Sequence, residues 1–379
     1  MTPFSLTLPP RLRFGRGEAL AAVPDILSFG TRFVFVTGRS QTRAGPLMEA
    51  LKAQGATLHH ETCAGEPDLD MLVAALARAR DMQPDAVIAM GGGAAVDLGK
   101  ALAALIPAPD PDPLEHLEVV GKGLPLTAAP LPCVALPTTS GTGSEATKNA
   151  VISVPAEGRK VSLRDAAMVP SLAIIDPSLT DGTPRAVTMA SGMDAVTQVI
   201  EPYLSARANP VTDALCRDAI PRGFTALATL ATAEDPDARD TLALVAHLSG
   251  IALANAGLGA VHGIAGVLGG QTGAPHGAIC GQLLAPILRA VRAAAQPDST
   301  TARRIAEIDG WCLAALGCDI DGLGTWARDY GLPEPEAPLS PALLLEIAES
   351  SAASSSMKSS PVALPAATLV DALREAGWG

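Results

Sequence analysis

The segment MDAVTQVIE places Asp194, Gln198 and Glu201 at spacings of four and three residues. On an α-helix these three share one face, while Ala195, Val196, Val199 and Ile200 point elsewhere. Polar side chains on so apolar a helix must satisfy one another, hold an ion or hold a substrate. Further along, GLGAVHGIAGVLGGQTGAPHGAICGQLLAP carries nine glycines between 257 and 281, with His262 and His276 fourteen residues apart. That separation is too wide for one helix face, so the two imidazoles come from two elements meeting at a glycine-rich bend. Neutral imidazole is a common ligand for iron, zinc and nickel. The alternative for each is a hydrogen-bonded histidine in an apolar core.

A second kind of chemistry is written in glycines and hydroxyls. In MGGGAAVDLGKA (90–101) a strand ends at Met90, three glycines follow, and a helix begins near Ala94. Gly91, Gly92 and Gly93 allow close approach of a ligand to the backbone, and free amides at a helix start suit a pyrophosphate. The spacing is not G-x-G-x-x-G. In LPTTSGTGSEATKNAVI (136–152) a run of Thr, Ser, Gly and Glu directly follows an apolar strand, where ligands bind in parallel-sheet proteins. Three of the six lysines, Lys100, Lys148 and Lys160, fall inside or beside these segments. In an acidic protein that placement suits a phosphate-bearing cofactor; the alternative is solvated surface lysines.

The elements that position these residues divide the chain in two. Short β-rich runs alternate with helical stretches through the first half: RFVFVT (32–37), a helix near 44–54, a strand near 57–62, a helix over 68–82, DAVIAM (85–90), CVALPTT (133–139) and SLAIIDP (171–177). Such alternation implies a parallel sheet covered on both faces. ALIPAPDPDPLEH (104–116) reads as a surface loop. After Asp176-Pro177 the strand signals stop, and helices are expected over 186–204, 210–229, 236–257, 276–295 and 299–315. The fold class is therefore an N-terminal α/β domain with a parallel sheet, 1–180, followed by an all-α C-terminal domain, 181–379.

Composition narrows the partners. With 27 basic and 39 acidic residues in a chain of 379, the net charge is −12, which disfavours nucleic acid and anionic membranes. No apolar run is long enough to span a bilayer, and MTPFSLTLPPRLRFGRG lacks the apolar core of a signal peptide. The six cysteines, at 63, 133, 216, 280, 312 and 318, lack CxxC spacing and read as reduced, mostly buried thiols. A cytoplasmic setting follows.

Taken together, GGGAAVDLGK, LPTTSGTGSEATKNAVI, VPSLAIIDPSLT, SGMDAVTQVIEPYLS and the GAVHGIAG…GAPHG region resemble the iron-containing (group III) alcohol dehydrogenase family of the dehydroquinate synthase-like superfamily. The resemblance implies an N-terminal dinucleotide-binding domain, a C-terminal helical domain, an active site in the cleft between them and a homodimer. It implies that Gly91, Gly92 and Gly93 hold the cofactor pyrophosphate, with Asp97 in the same motif. Thr138, Thr139 and Thr142 would contact the cofactor, and Lys160 would reach toward the nicotinamide. The family's metal ligands are an aspartate, a histidine four residues later and two further histidines; Asp194, His262 and His276 match three of them.

Three positions depart from the pattern. Gln198 stands in place of the second ligand, Gly266 in place of a further histidine that many members carry near the substrate, and Ala94 in place of a serine. A glutamine carbonyl is a weaker ligand than imidazole. A divalent metal (iron, alternatively zinc or nickel) at Asp194, Gln198, His262 and His276 is therefore expected to bind less tightly. The competing expectation is a metal-free pocket, as in maleylacetate reductase, with Gln198 and His262 bonding the substrate carbonyl. After the strand at Thr37 the chain has Gly38, Arg39 and Ser40 with no acidic residue to repel a 2′-phosphate, which favours NADP(H) over NAD(H).

The reaction implied is reversible hydride transfer between a nicotinamide cofactor and a small aldehyde, ketone or alcohol, with Asp194, His262 and Lys160 in the catalytic centre. Water, a ribose hydroxyl or Lys160 could supply the proton. The rivals are a metal-independent oxo-acid reductase, a dehydroquinate synthase-like lyase, and a nucleotide-binding protein without turnover.

Overall fold

The computed structural model describes residues 3–108 and 112–379. Two compact units emerge: Thr7–Thr139 with Gly143–Thr180, and Asp181–Gly379 with Ser140–Thr142 and the described residues before Thr7. The first is built on strands β1 (Leu12–Phe14), β2 (Arg32–Gly38), β3 (Thr57–Cys63), β4 (Ala86–Gly91), β5 (Cys133–Pro137) and β8 (Leu172–Ile175), all parallel, in the order β1-β8-β5-β4-β2-β3. Strands β6 (Asn149–Val154) and β7 (Arg159–Arg164) pair separately as an antiparallel hairpin.

Alternation along the strands sorts side chains into two cores. Val34, Val36, Val87 and Ala89 pack with Leu72, Leu98 and Leu102 on one face. Phe33, Phe35, Ile88 and Met90 pack with Leu47 and Leu51 on the other. A sheet covered on both faces needs continuous apolar strands, and β2 is buried from Phe33 through Thr37. The chain runs β2 to β3 on one side and then returns past β2 to β4. The order therefore reverses at the β2/β4 junction, where Thr37 lies opposite Met90. In open parallel sheets, ligands bind outside the carboxyl ends of the strands at such a reversal.

Among the described residues every strand ends by Ile175, and the second unit is helical. Its longer helices are Arg185–Leu204, Pro210–Thr232, Pro236–Ala256, Ala260–Thr272, His276–Ala294 and Thr300–Leu316, around one apolar core that includes Met193, Phe224, Leu242, Ile264 and Leu283. Parallel sheet and helix-rich remainder agree with the expected fold class. Of the loop expected at 104–116, residues 109–111 lie outside the described residues; helix Gly93–Leu105 enters it and a short helix, Pro113–His116, follows. The β6–β7 hairpin was not expected. Its six cross-strand pairs turn at Gly158, φ +58°, beyond the hydroxyl-rich segment 136–152, which overlaps only its first strand. No single described helix is long and apolar enough to cross a membrane.

Candidate functional site

In the helical unit, Asp194 lies midway along a buried helix and is 2% exposed. Helix His276–Ala294 comes unusually close to it. A Cβ on Gly277 would sit 2.5 Å from the Ala190 carbonyl oxygen, and one on Gly281 2.9 Å from the Met193 Cβ. Two glycines four apart thus let the helices touch backbone to backbone, and they bring His276 and Cys280, also four apart, to Asp194. Gly273, at φ +71°, ends helix Ala260–Thr272 in the left-handed conformation favoured by glycine and makes the bend that separates the two histidines.

The four side chains converge. His262 Nε2 lies 3.3 Å from Asp194 Oδ1, His276 Nε2 lies 3.9 Å from the same oxygen, and Cys280 Sγ lies 3.6 Å from His276 Nε2. All four ligand-type atoms fall within 4.8 Å of one another. Asp194 and His262 are sealed in, whereas the His276 side chain is one-third exposed and leaves one accessible side. Burial opposes charge on both imidazoles, but the Cys280 sulfur and the neighbouring carboxylates outweigh it. His262 is raised well above the ordinary imidazole range and His276 to about 9. Burial likewise opposes charge on Asp194, yet its contact with His262 keeps its carboxyl below the usual range. This pocket attracts positive charge, and a dication can replace imidazole protons there.

The helix face that carries Asp194 divides its labour. Glu201 accepts from the Val261 amide (2.7 Å) and bonds His262 Nδ1 (2.6 Å), so Nε2 is turned toward Asp194. A Cβ at Gly259 would lie 2.8 Å from Glu201 Oε1, so the carboxylate reaches His262 over a bare backbone. Outer carboxylates of this kind orient metal-binding histidines. Gln198 does otherwise: its Nε2 donates to the Thr142 carbonyl (2.7 Å) and to Ser249 Oγ (2.8 Å). Both amide hydrogens are therefore committed within the protein, which disfavours Gln198 as donor to a substrate carbonyl. Gly266 lies one turn beyond His262, and a Cβ there would meet nothing within 4 Å.

In the sheet unit, Gly91 ends β4 and Gly92 precedes helix Gly93–Leu105, whose first turn has no side-chain cap. A Cβ on Gly91 would lie 2.6 Å from the Ala95 Cβ and 3.1 Å from the Gly38 amide, and Thr139 flanks Gly92. The amino end of that helix is thus left bare between the ends of β2 and β5. Beyond β2, the exposed Arg39 guanidinium donates to the Ala64 carbonyl at 2.8 Å, and Ser40 bonds Thr42.

The remaining polar residues of the two motifs hold the loop. Asp97 accepts from Ser144 Oγ and from the Val151 amide. Lys100, 1% exposed, donates to the Ser144 carbonyl (2.8 Å) and Thr147 Oγ1 (2.9 Å) and pairs with Asp97. Lys100 therefore anchors the 138–147 segment instead of facing a phosphate. Lys160, on β7, pairs with Glu66. The Thr138 amide donates to the Gly91 carbonyl (2.8 Å), while Thr142 belongs to the helical unit.

Sequence reasoning misses Cys280 and finds Glu201 without its partner. Cys280 carries a signal in its four-residue offset from His276, which a CxxC spacing does not capture. Glu201 was visible on the Asp194 face, yet its partner lies 61 positions away.

The chain is similar to known proteins along most of its length. The family model for iron-containing alcohol dehydrogenase matches residues 9–177, and the C-terminal model of the Fe-containing alcohol dehydrogenase family matches residues 188–318. The probable alcohol dehydrogenase EutG of Escherichia coli (strain K12) is 32% identical over 350 residues, 86% of this chain and 87% of that protein. The long-chain-alcohol dehydrogenase 1 of Geobacillus thermodenitrificans is 34% identical over 353 residues, 88% of this chain and 86% of its own length. The solved alcohol dehydrogenase from Oenococcus oeni superposes with a TM-score of 0.86 at 26% identity, covering 99% of this chain and all of that one.

Proposed function

The chain belongs to the iron-containing alcohol dehydrogenase family and is an enzyme of that oxidoreductase type, and from that premise we propose that it reduces small aldehydes or ketones with NADPH at a metal-dependent site. The observation that carries this reading is the buried convergence of Asp194, His262 and His276. Their chemistry suits a divalent ion: one carboxylate and two imidazoles, with Glu201 fixing one ring so that Nε2 faces the others. When bound, the metal supplies a Lewis acid for the substrate oxygen and the nicotinamide supplies the hydride. The chain's own part is to bind, orient and exclude water. Gly91, Gly92 and Gly93 offer amides to the pyrophosphate, and Thr138 and Thr139 line the same strand ends.

Asp97 contributes by tying the 138–147 loop to the glycine-led helix. Arg39 pairs with the 2′-phosphate of NADPH, supported by a strand end that carries no carboxylate. The partly exposed flank of His276 admits the substrate. Open space beside Gly266 leaves proton donation to water, a ribose hydroxyl or Lys160, the partner of Glu66. The same reading makes the enzyme a cytoplasmic homodimer.

Purified protein, analysed for bound metal and assayed with NADPH and NADH against a panel of aldehydes and ketones, tests the proposal. We expect metal in the protein and aldehyde-dependent oxidation of NADPH faster than of NADH. A cofactor-induced rise in melting temperature with no oxidation of either cofactor would overturn it.

A further inference from the structure

We propose that Cys280 is the fourth protein donor of this metal site, in the role that residue 198 cannot fill, and that the resulting Asp–His–His–Cys set selects zinc over iron. The inference rests on the metal-dependent reading above and goes beyond it in donor and in metal.

Geometry comes first. Tetrahedral zinc with bonds of about 2.0–2.3 Å separates its ligand atoms by about 3.3–3.8 Å. Three of the separations here are 3.3, 3.6 and 3.9 Å and all four atoms lie within 4.8 Å of one another, close to that range before any ion draws the side chains together. His276 and Cys280 sit one turn apart on one helix, the spacing that lets two side chains share an ion. Gln198, by contrast, has turned its amide nitrogen away to the Thr142 carbonyl and Ser249. Only its carbonyl oxygen remains, a weak donor for a borderline metal.

Charge and softness agree with that choice. Among the donors themselves, Asp194 and a Cys280 thiolate bring two negative charges to a dication, with Glu201 bonded behind His262. Binding releases the thiol proton, as coordination of cysteine requires. Thiolate is a soft ligand that favours zinc, and zinc precedes iron in general affinity for nitrogen and sulfur donors. Four-coordinate zinc can expand to five, so a substrate oxygen is still admitted.

The other buried cysteines lack such surroundings. Among the described residues, the single cluster of three or more histidine, cysteine and acidic side chains able to hold an ion is the one containing Cys280.

The experiment is cobalt substitution. Full-length protein is stripped with a chelator, one equivalent of Co(II) is added, and the spectrum is recorded for wild type, Cys280→Ser and Gln198→Ala. A near-ultraviolet sulfur-to-cobalt charge-transfer band is expected in wild type and in Gln198→Ala, and its loss in Cys280→Ser. Zinc affinity of Cys280→Ser should fall by more than the about 10–100-fold that loss of an outer-shell partner costs. In competition between equal zinc and iron(II) under anaerobic conditions, wild type should take up zinc.

Stoichiometric cobalt without the sulfur band in wild type would overturn the cysteine assignment and leave the metal-dependent reading standing. Preferential uptake of iron would overturn the selectivity. No uptake of any of these metals would overturn both proposals. The wild-type spectrum decides the ligand question even if Cys280→Ser fails to fold.

Discussion

The two candidate binding regions are made of different material. At the strand ends of the sheet unit, the Gly91–Gly93 turn works through main-chain groups, and much of what surrounds it, Asp97 and Lys100 included, serves to hold a loop in place. In the helical unit the site consists of side chains from three helices, and glycines contribute by lacking a Cβ: Gly277, Gly281 and Gly259 clear the way for Asp194, His276 and Glu201. A backbone site tolerates most side-chain changes that keep its shape. A side-chain cluster loses its function with any one donor. Substitutions should therefore act in opposite ways in the two regions.

The largest effect is expected from Asp194→Ala, which removes the one oxygen that both imidazoles approach. Bound metal should be lost and kcat/KM for aldehyde reduction should fall by about 10³-fold or more, the order of several kcal/mol of lost transition-state stabilisation. Metal analysis and steady-state kinetics check this together. Glu201→Gln should come next. It keeps its size but removes the charge and leaves one oxygen to serve both the Val261 amide and His262 Nδ1, so metal affinity should drop by about 10–100-fold and excess metal should restore most of the rate. An unchanged affinity would mean that the Glu201–His262 contact only fills space.

On the sheet side, Arg39→Ala should raise KM for NADPH by about tenfold, about 1.4 kcal/mol, and leave KM for NADH and the metal content alone. Equal losses with both cofactors would place the guanidinium elsewhere on the nucleotide. The smallest effect belongs to the opposite end of the same sheet. There Asp85 accepts from Arg32 Nη2 and from the amides of Thr31 and Arg32, and these contacts pull its pKa from 3.8 to about 2. A depressed carboxylate stabilises the fold fully above pH 3.8 and loses that contribution as pH falls through about 2. Asp85→Asn should lower stability at pH 7 by about 1 kcal/mol or less, with wild type and variant converging toward pH 2 and kinetic constants unaltered. Denaturant melts across that pH range measure it.

How much of this could be read from the chain follows the same division. Strands such as Arg32–Gly38 and Ala86–Gly91 were legible because a sheet buried on both faces writes itself as an unbroken apolar run ending in glycine. Leu12–Phe14 was not, since three residues carry no periodicity and the strand exists by pairing with Leu172–Ile175. The hairpin Asn149–Val154 with Arg159–Arg164 has alternating burial in its first strand, a pattern overshadowed by the hydroxyl run before it. Asp194, His262 and His276 stood out as polar residues in apolar helices. Cys280 did not, because a buried cysteine resembles any small apolar residue until its neighbours are known. The fate of the Gln198 amide was equally hidden: its partners, Thr142 and Ser249, lie 56 and 51 positions away.

The central claim is that a metal held by the helical unit is needed for reduction of the carbonyl. The most direct measurement is the rate of aldehyde-dependent NADPH oxidation by protein stripped with a strong chelator, before and after one equivalent of zinc is returned. The expected result is a rate near background that recovers on addition of the metal. Full turnover by the stripped protein, with metal analysis confirming its removal, would contradict the account.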